Sequence, residues 1–124
     1  MKKEGYIFLI VILLLSLVSC SGGSYKITVG DIGSTSNEIT GQYRSFTGHY
    51  FKKVKLDQGD SLIVKFTADT EKGKIKTKII DNNDETIETM NPGDTIELSD
   101  PDKYKLQVEG KKHRGSFILS WEKE

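Results

Sequence analysis

Four features of this 124-residue chain could carry chemistry: a single cysteine (Cys20), two histidines (His49 and His113), and an oxygen-rich run, Asp81-Asn82-Asn83-Asp84-Glu85. None of them forms a catalytic pattern. Serine hydrolysis needs a nucleophile set against a histidine that a carboxylate orients, and no serine lies in a Gly-x-Ser-x-Gly setting. His113 falls among Lys111, Lys112 and Arg114 between two apolar runs, where a solvated hairpin turn is expected. The run from Asp81 offers the hard oxygens that Ca²⁺ prefers, yet Thr86 stands where an EF-hand loop has its glycine. Asp and Asn also satisfy the backbone of a tight turn, and Asp57 and Asp60 read the same way. The expectation is a protein that is not an enzyme and has no cofactor and no metal site.

Aromatic and basic side chains point to binding instead. Over residues 50–56, Tyr50, Val54 and Leu56 share the phase that should face a core, with Lys52 as the exception. The opposite phase exposes His49, Phe51, Lys53 and Lys55, and Tyr43 stands just upstream. Tyr43, His49 and Phe51 are therefore the expected ligand-binding residues, a platform for a sugar ring or a partner's side chain. The plainer alternative packs Phe51 under a covering segment such as 30–41, or switches the phase with a bulge near Gly48. Lys65, Lys76 and Lys78 occupy outward phases too, and Lys53 and Lys55 join them. Such lysines either meet anionic phosphate or keep a sheet face solvated and its edges apart.

The N-terminus supplies the strongest signal. Met1-Lys2-Lys3-Glu4 is a short, net-positive start, and an unbroken apolar run from Tyr6 to Leu15 follows, extended by Leu17 and Val18. A helix needs about 20 apolar residues to span a bilayer, so this core suits a signal peptide better than a membrane anchor. Leu17-Val18-Ser19-Cys20 then resembles the lipobox of bacterial lipoproteins. The resemblance implies a diacylglyceryl thioether on Cys20 and cleavage after Ser19. Residues 1–19 are expected to be a signal peptide, 20–24 a lipidated tether, and 25–124 the domain. The location it implies is the extracytoplasmic face of a membrane, and the first partner is that membrane. Loss of Lys2, Lys3 and Glu4 would leave sixteen basic and seventeen acidic residues, a balance that gives nucleic acid no purchase. With Cys20 lipidated no thiol remains for a disulfide, and the fold must rest on its core.

From Tyr25 onward the apolar period is two, the period of a strand. Tyr25–Val29, Tyr50–Leu56, Leu62–Ala68, Ile75–Ile79, Thr86–Met90, Thr95–Leu98, Tyr104–Val108 and Phe117–Trp121 make about eight strands. Trp121 shares its phase with Phe117 and Leu119 and should lie in the core. Turn residues separate the runs, notably at 58–60, 70–73, 81–84, 91–94 and 110–115. The expected fold is all-β, a single antiparallel jelly-roll-like β-sandwich.

The stretch from Val54 to Val64, with Gln58-Gly59-Asp60 at its turn, and the later Asp102–Gly110 and Gly115–Trp121 segments resemble pre-peptidase C-terminal domains, accessory sandwiches of secreted bacterial enzymes. That resemblance implies a non-catalytic, accessory role. The function expected is a membrane-anchored envelope module that engages a glycan, a wall polymer or a partner protein. The alternative is a structural or chaperone-like envelope protein that supports a neighbouring complex.

Overall fold

The computed structural model describes residues 21–124; Cys20 and the leader expected over residues 1–19 lie outside the described residues. The described chain is all β. Its strands are β1 (Ser21–Ser34), β2 (Glu38–Leu56), β3 (Leu62–Ile80), β4 (Thr86–Met90), β5 (Thr95–Leu98) and β6 (Asp102–Lys123). They form one antiparallel sheet in the order β1-β2-β6-β3-β4, with β5 also on β3. The eight expected runs are all strand. Two pairs of them are halves of one continuous strand: Leu62–Ala68 and Ile75–Ile79 both lie in β3, and Tyr104–Val108 and Phe117–Trp121 both lie in β6.

Strands this long cannot lie flat. At about 3.3 Å per residue a 22-residue strand would reach ~70 Å, against a radius of gyration of ~13 Å for a domain of about 100 residues. The sheet folds across its middle along a crease that crosses β1, β2, β6 and β3. The first layer holds residues 30–34, 38–43, 62–69, 95–98 and 115–123. The second holds 21–28, 48–56, 75–80, 86–90 and 102–110. Short turns bring the layers together at the far end, through residues 57–61 from Leu56 to Leu62 and residues 99–101 from Leu98 to Asp102.

The crease has a sequence requirement. Side chains alternate along a strand, so one face must meet the core on both sides of the fold. In β2 the buried positions are odd in the first layer (Ile39, Tyr43) and even in the second (Val54, Leu56). In β3 they change from Leu62, Val64 and Phe66 to Ile75 and Ile79, and in β6 from Leu106 and Val108 to Phe117 and Leu119. All three strands switch parity at one place. Register irregularities mark it, between Tyr43 and Gly48 in β2 and between Thr70 and Lys74 in β3. The bulge expected as the alternative near Gly48 is therefore present.

The two layers enclose one core. Aromatic rings pack at the crease, Phe46 of the irregular segment lying 6.2 Å from Phe117 and 5.3 Å from Tyr43 of the first layer. Glycine makes room for them. A Cβ on Gly110 would stand 2.4 Å from the Phe46 ring, and one on Gly41 2.4 Å from Phe117. Lys52, the charged exception in the apolar phase, has a structural reason to be there. Its ammonium donates to the Thr35 carbonyl of the opposite layer, beside a 3.1 Å hydrogen bond between Tyr50 Oη and Ser34 Oγ. These bonds close the β1 side of the sandwich. Ser21–Ser24, expected as a tether, is already strand, paired with His49–Lys52.

Gly110→Ala should cost about 1–3 kcal/mol in urea unfolding, because the new methyl displaces the Phe46 ring. Gly33→Ala, with no atom within 4 Å of its added Cβ, should be neutral or slightly stabilising. Equal effects of the two changes would contradict the packing described.

Candidate functional site

At the crease the sheet carries a polar cluster that the linear sequence conceals. His113, expected in a solvated turn, is fully buried within β6. The surrounding basic residues are consistent with both pictures, but the chain does not turn there: it continues as strand, and Lys112, at φ 48°, takes up the irregularity. Both imidazole nitrogens are engaged, Nδ1 with Tyr43 Oη at 2.7 Å and Nε2 with Thr70 Oγ1 at 2.8 Å. Burial pushes the Tyr43 phenol above its ordinary range, so it stays protonated and donates to Nδ1. The neutral ring then donates from Nε2 to Thr70. One histidine thus ties β2, β6 and β3 together at the fold line, and neither nitrogen is left for proton transfer.

Above this cluster lies an open groove of about 770 Å³. Gly30 and Gly115, which flank Tyr43 in the ladder, give it a floor of bare backbone. Gly115 has φ 143°, and a Cβ there would stand 1.9 Å from the Asp69 carbonyl, so no side chain can fill the floor. The walls bear Gln42 and Arg44 from β2, Asp69 and Glu71 from β3, and Arg114 from β6. Arg114 Nε lies 3.0 Å from Glu71 Oε2. At the rim, Val29 holds φ 47° while 74% exposed. A β-branched residue in that region stores roughly 1–3 kcal/mol of strain.

The structure separates the expected platform. Tyr43 is not on the surface: it points into the core at 5% exposure, because the parity switch falls just after it. His49 and Phe51 do share an outer face, that of the second layer, and both are half-buried. The Phe51 ring lies against Gly22 of β1, and the Lys105 ammonium sits 4.8 Å from its centroid. The Asp81 segment is a turn whose carboxylate serves the chain itself. Asp81 Oδ1 accepts from the backbone of Asn83 and of Glu85, each at 2.9 Å. No group of three or more potential metal ligands is found among the described residues.

The groove was invisible as spacing, since its lining comes from four strands, β1, β2, β3 and β6. One signal did exist. Arg44 and Arg114 are the only arginines among eighteen basic residues, the rest being lysine, and both line this groove. Arginine differs from lysine in its planar, five-donor fork.

No protein-family model matches the chain, and no curated protein does. Among solved structures it is similar to a family 61 carbohydrate-binding module in complex with β-1,4-galactotriose, at 12% identity and TM-score 0.44, covering 84% of this chain and 87% of that one. It is also similar to a family 4 carbohydrate-binding module, at 17% identity and TM-score 0.40, covering 83% and 77%. The enzymatically active domain of bacteriophage CBA120 tailspike protein 4 matches at 9% identity and TM-score 0.44, over 82% of this chain and 18% of that one. At these scores the likeness carries no inference about what this chain binds.

Acid should loosen the crease. Burial lowers the His113 pKa below its ordinary value of 6.5, so the unfolded chain takes up the proton first. The stability held by the neutral ring is fully present above about pH 6.5 and is lost as pH falls toward the lowered folded pKa. Protonation also removes the acceptor that Tyr43 uses. Thermal unfolding should therefore move to lower temperature between pH 7 and pH 5, and His113→Gln should flatten that slope while costing about 1–3 kcal/mol at neutral pH. An unchanged slope in His113→Gln would contradict this role.

Proposed function

We propose that this chain is a lipid-anchored, non-enzymatic module of the bacterial cell envelope that holds a neutral, hydroxyl-rich glycan in the crease groove. The observation that carries the reading is the convergence of both arginines on one open polar groove. A pocket for an apolar ligand is lined mainly by apolar and aromatic groups; this one is lined mainly by charged and amide side chains. Three carboxylates, Asp31, Asp69 and Glu71, accompany the two guanidinium groups. That mixture opposes a polyanion and supplies both donors and acceptors to paired hydroxyls. His113 is engaged at both nitrogens beneath the groove, and Glu71 is held by Arg114, so the reading is one of binding, with the groove's carboxylates as acceptors for sugar hydroxyls. Support for anchoring comes from Leu17-Val18-Ser19-Cys20.

Two experiments test the two halves. Acyl labelling of the expressed chain should disappear in Cys20→Ser, and undiminished labelling would remove the anchor from the reading. Isothermal titration against a panel of neutral oligosaccharides should find a ligand whose affinity falls at least about tenfold in Arg44→Ala or Asp69→Asn, the loss of one hydrogen bond to a charged group. A panel with no binder, or a binder indifferent to both substitutions, would overturn the glycan assignment.

A further inference from the structure

The fold sorts charge between its two outer faces in a chain whose formal net charge is zero. On the outside of the second layer, Lys53 and Lys55 of β2 stand directly opposite Lys105 and Lys103 of β6, and Lys76 and Lys78 continue the field on β3. The one carboxylate in the outward phase of these three stretches is Glu109, 3.0 Å from Lys78; Asp102, at the end of the β6 stretch opposite Leu56, lies in the other phase. The outside of the first layer is the reverse. Glu38, Asp69, Glu97 and Glu122 occupy its outward positions, with Lys65 as the lone lysine among them.

Two lysine pairs in succession, Lys53 with Lys105 and Lys55 with Lys103, are unfavourable to the sheet itself, because like charges directly opposite repel. Lys53, Lys55 and Lys103 are exposed and Lys105 is half-buried over Phe51. Within the face the relief is small: Lys55 lies 3.8 Å from Asp57, with both side chains mostly in solvent. The position of β1 adds a second, independent observation. Its first residues, from Ser21, pair with β2 in the second layer, Ser21 lying opposite Lys52. An acyl chain on Cys20 would therefore leave the domain from the basic layer, with no linker between lipid and strand.

We infer that the basic outer face of the second layer lies on the anionic phosphate headgroups of the membrane, and that the acidic layer faces away from it. The orientation rests on the proposed anchoring at Cys20; the affinity of the face for anionic lipid does not. Each lysine near such a surface contributes about fivefold, or about 1 kcal/mol, attenuated by salt. The crease groove opens on the outside of the first layer's edge, away from the bilayer, where a glycan can reach it.

The test uses residues 21–124, which carry the core of the described residues and lack Cys20, with cooperative urea unfolding as the check that they fold. Cosedimentation should show binding to phosphatidylcholine vesicles carrying phosphatidylglycerol and none to phosphatidylcholine alone, with the bound fraction falling as salt rises. Lys53→Gln, Lys55→Gln, Lys103→Gln and Lys105→Gln together should reduce binding by at least about tenfold, and circular dichroism and unfolding should show the sheet intact or stabilised. Glu38→Gln with Glu122→Gln on the other face should leave the variant no weaker than the parent. Equal binding to both vesicles, binding that survives the four substitutions, or capture by a soluble phosphate polymer without capture by anionic vesicles would each overturn the proposal. A flat vesicle result leaves acyl labelling at Cys20 and glycan titration untouched, so its failure is separate from theirs.

Discussion

The two-residue period of a strand is the constraint on which this molecule is built. A sheet folded over itself must offer apolar side chains to the same interior on both sides of the fold, and it must do so in every strand at once. Here β2, β3 and β6 change the parity of their buried positions at a shared line, and their register recovers beyond it: Tyr43 pairs with Gly115 before the crease, and Gly48 with Gly110 after it. Neighbours that switched at different points would present apolar residues to water on one layer. The unusual backbone at Val29, Lys112 and Gly115 is where that coordination is met.

What sits at the crease follows from that line. The glycines that let the strands pass leave room for Phe46 and Phe117 inside and bare backbone outside. The aromatic cluster fills the inner side. His113 bridges Tyr43 and Thr70 and so fastens three strands whose ladders are interrupted there. On the outer side the same interruption opens a groove, and polar side chains from these strands and from β1 line it. Folding one sheet into two layers also gives two outer faces with separate compositions. Strand phase on either side of the crease assigns lysines to one and carboxylates to the other.

Much of this was legible in the residues and part of it was not. All eight apolar runs were found as strands, and the antiparallel, all-β architecture followed from their alternation. Thr70–Gly73 and Gly110–Gly115 read as loops because the glycine signal for positive φ is the same whether a chain turns back or creases and continues. His113 was misplaced for a related reason. Its sequence neighbours are basic, while its partners lie 70 and 43 residues away. Tyr43 was assigned to the surface by carrying one phase across the switch. Lys52 stood out correctly as an exception, but the carbonyl it serves belongs to the opposite layer. The arginine pair was countable from the start, yet only the strand order brings it together.

The most direct measurement shortens β6 at the crease. Removing Lys112 alone forces one half of β6 to slip by one residue against both β2 and β3, turning either Phe117-Leu119-Trp121 or Tyr104-Leu106-Val108 to solvent. Removing Lys111 and Lys112 together slips it by two and preserves the faces. Urea unfolding followed by tryptophan fluorescence should show the one-residue deletion without a cooperative transition, while the two-residue deletion keeps one at reduced midpoint. A two-residue deletion that damages the fold as much as the single one, or a single deletion that unfolds like the parent, would contradict the coordinated crease.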